Sequence, residues 1–503
     1  MNSLAEYSRY DAVGLADLVR RRLVSPREVF EAAIARIEYL NPILNAVVIP
    51  MFDEASRIVE TDLPDGPLAG VPLLLKDFGA LYKGSVCSLS SSLLQNSVAD
   101  HDSTIVRLYK KAGMVVVGRS NIPNFAAAVT TESRFRGPVR NPWDLTRMAG
   151  GSSGGAAAAV AAGLVPIAHG TDAAGSIRVP ASHCGVFGLK TTRGRVSVGP
   201  DLGEPAGGLG AHHALTRTVR DSAIALDVIQ GYQVGDPYTA PPPQRCYFKE
   251  TTRDPGTLRI AFSTKAPGGL AVDKECIRAV EDAAKLCTDL GHDLEEGAPD
   301  FDFGAMTMHF LLVHGAHWSK SIIDLAAKLN RDPYPDEIEP SVMAWAQYCA
   351  TKSAIEYAEA LKITHRIARQ INAFFDDYDV FLCPVATSPA LPLGTINTME
   401  PDLMKYVDQM WAHMAFTAQF NCSGQPAMSI PLYWTSNGLP VGTQFVGRFG
   451  DEACLFRLAG QLERARPWKH RSPPFDATQI RPVHGSASIR PSSRGASGNG
   501  RTT

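Results

Sequence analysis

Residues 148–190 read MAGGSSGGAAAAVAAGLVPIAHGTDAAGSIRVPASHCGVFGLK. No other part of the 503-residue chain is as dense in glycine, serine and alanine with so few charges. Ala156 to Ala162 is a run of strong helix formers, Leu164 to His169 reads as a strand, Thr171 to Ser176 as a loop, and Val186 to Lys190 as another apolar strand. Helix and strand in alternation specify an α/β layer. Two serine clusters, Ser152-Ser153 and Ser176, sit in glycine-bearing backbone at the turns of this unit. Glycine lets backbone approach a ligand closely. Serine supplies a hydroxyl that can serve as nucleophile or proton shuttle. The stretch is therefore expected to be an active site and the rest of the chain its scaffold.

The alternation continues upstream. Val71 to Lys76 (VPLLLK) and Met114 to Gly118 (MVVVG) are short apolar runs of the buried-strand type, with a helix over Asp102 to Ala112 between them, capped by Asp102 or Ser103. Strands joined by helical crossovers lie parallel. Residues 11–39 read as a solvated helical hairpin whose second helix opens at Ser25-Pro26. Pro138 and Pro142 rule out a strand in RGPVRNPWD. Downstream, the proline-rich stretch 235–255 reads as a surface connection. Leu258 to Phe262, Tyr378 to Cys383 and Ala427 to Leu432 read as strands, and Asp273 to Leu290 as a helix. Residues 302–376 are mostly helical, with a break at RDPYPDEIEP. Asn437-Gly438 turns Ala427 to Leu432 back onto Gly442 to Val446 as a hairpin, and Ala453 to Arg464 is an amphipathic helix. Residues 477–503 have almost no large apolar side chains and are expected to be disordered.

A net charge of −2, from 49 basic and 51 acidic residues, gives no footprint for nucleic acid or an anionic membrane. The nine cysteines are scattered without a C-x-x-C pair. That pattern fits free thiols in a reducing cytoplasm and supports neither a zinc site nor a disulfide framework. The N-terminal residues lack the apolar segment of a signal peptide. The longest nearly apolar run, 156–168, is shorter than the ~20 residues of a membrane-spanning helix. A soluble cytoplasmic protein is expected.

Three chemistries compete for the central stretch. A phosphate-cradling loop would place GGSSGG ahead of a helix, but no G-K-[ST] follows and no strand precedes glycines spaced as G-x-G-x-x-G. A nucleophile elbow would use Gly150-Gly151-Ser152-Ser153-Gly154, which fits G-x-S-x-G. That motif needs a strand directly before its serine, NPWDLTRMA does not read as a buried one, and neither His413 nor His470 has a distinctive setting for the base. The third chemistry is a serine activated by a lysine through a second serine. A hydroxyl is a poor nucleophile until a base takes its proton, and a desolvated lysine can be that base. A second hydroxyl can relay the proton, and backbone N–H groups just before the nucleophile can hold an oxyanion. Lys76, Ser152, Ser176 and the loop Ala173-Ala174-Gly175 supply these parts. Burial at the end of a strand would disfavour the charge on Lys76; turning out to solvent beside Asp77 is the alternative.

GGSSGG followed by TDAAGSIRVPASHCGVFGLK closely resembles the signature of the amidase signature family. The 24 positions between Ser152 and Ser176 fit that family's spacing, and GVPLLLKD is similar to its lysine strand. LNPILNAVV, YDVFLCP, FNCSGQPAMSIPL and GLPVGTQFVGRFGDE extend the likeness over nearly the whole chain up to the tail. The resemblance implies one large α/β domain over 1–476, with a mixed, mostly parallel sheet covered by helices on both sides. A helix-rich insertion at 235–375 would shape the substrate entrance. The implied activity is cleavage of a carboxamide C–N bond through an acyl-enzyme on Ser176, releasing a carboxylate and ammonia or an amine. Ser152 becomes the bridging serine, preceded by a cis peptide bond, and Lys76 the base. Ala173, Ala174 and Gly175, with the Ser176 N–H, would form the oxyanion hole. Ala126 and Ser153 would line or support the pocket, and Asp172 and Arg178 would orient the loop unless they form a surface pair.

No metal or cofactor is implied. The expected partner is a small-molecule amide, with no nucleic acid and no membrane, and a homodimer is compatible with the reading. Parts of the N-terminal half are similar to hydrolases of the cyclic 6-aminohexanoate dimer. Two other functions are weighed: an amidotransferase component of the A type, working with partner chains on misacylated tRNA, and an inactive binding scaffold. One departure stands out. Ala174 occupies a position where the family carries glycine, and alanine costs ~1–2 kcal/mol wherever φ must be positive. His314, His317, Trp318 and Trp411 fit either the substrate pocket or the core.

Overall fold

The computed structural model describes residues 4–61 and 63–475; the polar tail expected over 477–503 lies outside the described residues. An eleven-stranded sheet runs through the molecule. Its strands in chain order are β1 (Val47–Pro50), β2 (Pro72–Lys76), β3 (Val115–Ser120), β4 (Ile167–Asp172), β5 (Phe187–Lys190), β6 (Ala211–Thr216), β7 (Arg259–Phe262), β8 (Asp293–Glu296), β9 (Val380–Pro384), β10 (Ala427–Trp434) and β11 (Pro440–Gly447). Side by side they lie in the order β1-β3-β2-β4-β6-β5-β10-β11-β9-β7-β8. The contacts β3/β2, β2/β4, β9/β7 and β7/β8 are parallel, and the other six are antiparallel.

The sheet is mixed, as expected, but antiparallel pairs outnumber parallel ones. The main reason is β6, whose sequence AHHALT does not announce a strand. It inserts antiparallel between β4 and β5. Its histidines can be buried because each finds a partner: His212 Nδ1 meets His169 Nε2 at 3.2 Å, and His213 Nε2 meets Ser222 Oγ at 2.7 Å. The edge strands β1 and β8, four residues each, are too short for a pattern to show.

The flanking helices are α1 (Ala12–Arg20), α2 (Pro26–Leu44), α3 (Thr104–Lys111), α4 (Gly154–Ala161), α5 (Arg178–Cys184), α6 (Val219–Ile229), α7 (Lys274–Asp289), α8 (Phe303–Leu329), α9 (Pro340–Ala350), α10 (Ala354–Ala373), α11 (Leu403–Met414) and α12 (Glu452–Ala465). Successive side chains of a strand point to opposite faces, and β2 shows what each face meets. Leu73 and Leu75 join a core cluster with α1, α3, α6 and α12, whereas Leu74 packs with the alanines of α4 and with Ile34, Ile37 and Leu40 of α2. Helices therefore cover both sides. A third cluster holds α8 to α11 together with Phe125 to Val129 and the β9 residues Phe381 and Cys383.

The hairpin at the start of the chain is less solvated than expected. Ser25 and Glu28 form a capping box at the start of α2. The helix nevertheless buries ten residues, Arg36 among them. Arg36 donates to the carbonyls of Ala162 and Gly163, both at 2.7 Å, and so satisfies the C-terminal end of α4. Two small antiparallel pairs form around the prolines expected to rule out a strand: Glu132–Ser133 with Gly137–Pro138, and Arg140–Asn141 with Asp144–Met148. They stand outside the large sheet, where proline breaks no central ladder.

Candidate active site

Lys76 is the last residue of β2. Leu74 faces α4, so Lys76, two residues on, faces the same way and meets the start of that helix. It does not turn out to solvent: its side chain is fully buried. Nζ donates to Ser152 Oγ at 2.7 Å and to Thr171 Oγ1 at 2.8 Å. Burial pushes the Lys76 ammonium down to about 7, against a smaller opposing pull from the Asp172 carboxylate. A substantial fraction is therefore neutral at physiological pH.

Ser152 and Ser153 lead into α4, with Ser153 at the N-cap. The peptide bond between Gly151 and Ser152 is cis. The glycines of the stretch fit because the start of α4 is pressed against neighbouring backbone. A Cβ on Gly155 would stand 2.5 Å from Asn121 N and 2.6 Å from Ala46 O. Ser153 lies behind the site: its N–H donates to the Ser176 carbonyl at 3.2 Å and its hydroxyl to the Thr171 carbonyl at 3.3 Å. This ties the two serine clusters together through backbone.

Asp172 ends β4 and organises the loop that follows. Its Oδ1 accepts from Gly175 N–H at 2.8 Å and its Oδ2 from Ile177 N–H at 3.1 Å. Arg178, at the start of α5, holds the same carboxylate from Nε at 2.9 Å and a terminal nitrogen at 2.8 Å. Both side chains are fully buried, so this is no surface pair. Burial by itself would raise the Asp172 carboxyl, but the charge and hydrogen bonds of Arg178 hold it well below the usual carboxylate range. Arg178 also donates to the Thr417 carbonyl at 2.9 Å, Gln444 Oε1 at 2.8 Å and Asn421 Oδ1 at 2.6 Å.

The Gly175 N–H is already engaged by Asp172, so the unengaged donors of the loop are those of Ala173, Ala174 and Ser176 among the described residues. The concern over Ala174 also falls away. Positive φ occurs one residue later, at Gly175 with φ +127°, and Ala174 does not adopt it. A Cβ on Gly175 would lie 2.5 Å from Thr417 Oγ1, so glycine is required there on both counts.

Ser152, Ser176, Ala126, Ala173, Ala174 and Gly175 line one cavity. The Ser176 hydroxyl has no hydrogen-bond partner among the described residues. Phe125 and Ala126 form part of the wall with positive φ values of 52° and 57°, backbone seldom found outside glycine. Of the aromatic residues singled out in the sequence, His314 and Trp318 line the cavity, with Phe310 and Trp345 beside them. Trp411 packs edge-on against Phe303 and Phe310 in the core, and His317 is not among the lining residues. Sequence reasoning missed Thr171, which stands immediately before Asp172 and could have been found there. It also missed Thr417, and it missed Asn421 and Gln444 although both lie in the stretches FNCSGQPAMSIPL and GLPVGTQFVGRFGDE that carry the family likeness.

Among the described residues no group of three or more His, Cys, Asp or Glu side chains could hold a metal ion, and no helix is long and apolar enough to cross a membrane. A buried amine within hydrogen-bonding distance of two hydroxyls can exchange a proton with them, the chemistry of an acid–base enzyme class.

Comparison with known proteins narrows that class. A family model for amidases matches residues 28–456. The chain belongs to the amidase family and is an enzyme acting on carbon–nitrogen amide bonds. The 6-aminohexanoate-cyclic-dimer hydrolase of Pseudomonas sp. is 37% identical over 480 residues, which span 92% of this chain and 96% of that enzyme. A solved structure of 6-aminohexanoate cyclic dimer hydrolase complexed with substrate matches with a TM-score of 0.87 at 36% identity, over 93% of this chain and 99% of that one. The A-type component of the glutamyl-tRNA(Gln) amidotransferase of Chromobacterium violaceum is 31% identical over 486 residues, spanning 91% of this chain and 98% of that protein.

Proposed function

We propose that the protein hydrolyses small, uncharged carboxamides through an acyl-enzyme on Ser176. The observation that carries the reading is the Lys76 amine, buried, lowered toward neutrality and 2.7 Å from Ser152 Oγ, which with Ser176 lines one cavity. Ser176 Oγ attacks the amide carbonyl carbon. Its proton passes to the Ser152 hydroxyl, whose own proton passes to Lys76 Nζ. The carbonyl oxygen becomes an oxyanion held by the N–H groups of Ala173, Ala174 and Ser176. Collapse of the tetrahedral intermediate breaks the C–N bond, and the leaving nitrogen takes the proton back from Lys76 through Ser152. Water then attacks the ester by the same route and releases the carboxylate. The Ser152–Ser176 hydroxyl contact closes with substrate in place, since catalytic hydrogen bonds are often loose in the free enzyme.

The cavity indicates the substrate class. Its lining includes Phe78, Phe125, Phe310, Trp318, Trp345, Met410 and Met414, and no Asp, Glu, Lys or Arg among the described residues. A charged group there would lose its hydration without a partner. This favours a neutral amide with an apolar body and disfavours glutamyl-tRNA. The helix-rich insertion expected over 235–375, which supplies Phe310, His314, Trp318 and Trp345 to the cavity, is proposed to shape the substrate entrance. All nine cysteines are free thiols, which supports a cytoplasmic setting. The test is Ser176→Ala. It should fold normally, fail to react with a fluorophosphonate that labels the wild type, and lose amine release from neutral amides. Full activity in that variant would refute the mechanism.

A further inference from the structure

A second cavity opens where the parallel strands β7 and β8 end. In open α/β sheets the carboxyl ends of strands are where ligands bind. Ser263 and Lys265 follow β7, Glu296 ends β8 and Phe301 comes after it, Phe381 belongs to β9, and Phe416, Gln419 and Phe420 come from the stretch after α11. Four phenylalanines therefore wall the cavity, with the rings of Phe381 and Phe420 6.1 Å apart between centroids. It shares no lining residue with the catalytic cavity.

The polar groups of this cavity are donors without acceptors. Ser263 Oγ accepts from the Lys265 N–H at 3.2 Å, and its own proton has no acceptor among the described residues. Gln419 is 2% exposed, and its amide nitrogen donates to nothing among the described residues. Its Oε1 is the end turned into the protein; the reverse orientation would strand two donors there in place of one acceptor. The N–H groups are thus the end of that amide left for the cavity. At the mouth, Lys265 Nζ lies 3.3 Å from Glu296 Oε1, with the two side chains 83% and 64% exposed. A pair so exposed is weak, and Lys265 can leave it for another anion. The fitting ligand has an apolar body for the phenylalanines and an oxygen group that accepts several hydrogen bonds. A carboxylate is such a group, with two oxygens and a charge for Lys265. A carboxylate on an apolar body is also what hydrolysis of a neutral amide releases.

The same cavity reaches the catalytic loop from behind. Thr417, between Phe416 and Gln419, donates from Oγ1 to the Ala174 carbonyl at 2.5 Å, and its own carbonyl accepts from Arg178 at 2.9 Å. Met414, at the end of α11, lines the catalytic cavity. Residues 414–420 therefore border both cavities and hold the loop before Ser176. Resting on the acyl-enzyme reading for the identity of the ligand, we propose that the second cavity binds aryl and alkyl carboxylates of the product class and slows the reaction when filled. A ligand wedged among the phenylalanines braces Thr417, and with it Ala174, in the resting position. It thereby opposes the closing of Ser176 on Ser152 that the reaction needs.

The probe is 4-phenylbutyrate, with 4-phenylbutanol as its uncharged counterpart, and the full chain is used throughout. Titration calorimetry should show the alcohol binding at least about tenfold more weakly than the carboxylate. Gln419→Leu removes a donor to a charged acceptor and should weaken carboxylate binding by about tenfold. Lys265→Ala, at the surface, should weaken it by about threefold and leave the reaction without probe unchanged. The rate at which a fluorophosphonate labels Ser176 reads the coupling without any choice of amide. Saturating 4-phenylbutyrate should lower the maximal labelling rate by about fivefold, the low end of ordinary coupling between two sites, and leave the half-saturating concentration of the label within about twofold. If Gln419→Leu fails to fold, Lys265→Ala and the alcohol still decide. Binding that neither variant weakens, competition with the label alone, or a labelling rate that the probe leaves unchanged overturns the inference and leaves the reaction standing. A wild type that the fluorophosphonate does not label overturns the acyl-enzyme reading, and the calorimetry then decides the cavity by itself.

Discussion

Lys76→Met replaces the buried amine with an apolar side chain of similar length. It should abolish turnover while making the protein more stable at neutral pH. Lowering the ammonium from its ordinary 10.5 to about 7 corresponds, at 1.36 kcal/mol for each factor of ten, to about 5 kcal/mol of destabilisation when the group must be charged. The sign follows from proton linkage. Between about 7 and 10.5 the unfolded chain keeps the proton that the folded protein has lost, so wild-type stability rises with pH across that window. The penalty is complete below 7 and gone above 10.5. Methionine removes it, but it also removes the hydrogen bonds to Ser152 and Thr171, at about 1 kcal/mol each. The variant should then be more stable by about 3 kcal/mol at pH 6 and by about 1 kcal/mol at pH 8, and less stable than wild type in the alkaline range. Urea unfolding of both proteins at pH 6, 8 and 10 measures the difference. In parallel, wild-type kcat/KM should rise as Lys76 loses its proton, with a midpoint near 7. A stability difference that does not change with pH would refute the reasoning about Lys76, as would a variant less stable at every pH.

Ala174→Gly should leave kcat/KM within about twofold, because alanine bears no conformational strain at that position; steady-state kinetics would reveal a gain if it did. Gly175→Ala should instead cost about 1–3 kcal/mol for its positive φ, and more for its clash with Thr417, and should lower kcat as the loop shifts. Asp172→Asn leaves the Arg178 charge buried without its partner and should destabilise the protein by about 3–5 kcal/mol in denaturant unfolding. The same substitution should reduce turnover, because the carboxylate holds the N–H groups of Gly175 and Ile177.

The sequence by itself determined the elements that depend on neighbours a few residues away. Apolar runs marked β2 and β3, Ser25-Pro26 marked the start of α2, and Asn437-Gly438 marked the turn between β10 and β11. The glycine-serine stretch and a lysine ending a buried strand were enough to propose Lys76, Ser152 and Ser176 as one site. The tertiary structure decided whatever depends on a partner distant in the chain. It made AHHALT a central strand, because His169 and Ser222 satisfy its histidines. It engaged the Gly175 N–H with Asp172 and moved the positive φ off Ala174. It also brought Thr417, Asn421 and Gln444 beneath the loop, and Phe310, His314, Trp318 and Trp345 onto the cavity wall. Periodicity and capping are short-range and leave their mark in the order of residues. Burial and hydrogen-bond satisfaction are settled between groups that come together only in the fold, and only the folded chain shows which of them meet and which, like His314 Nδ1, have no partner among the described residues.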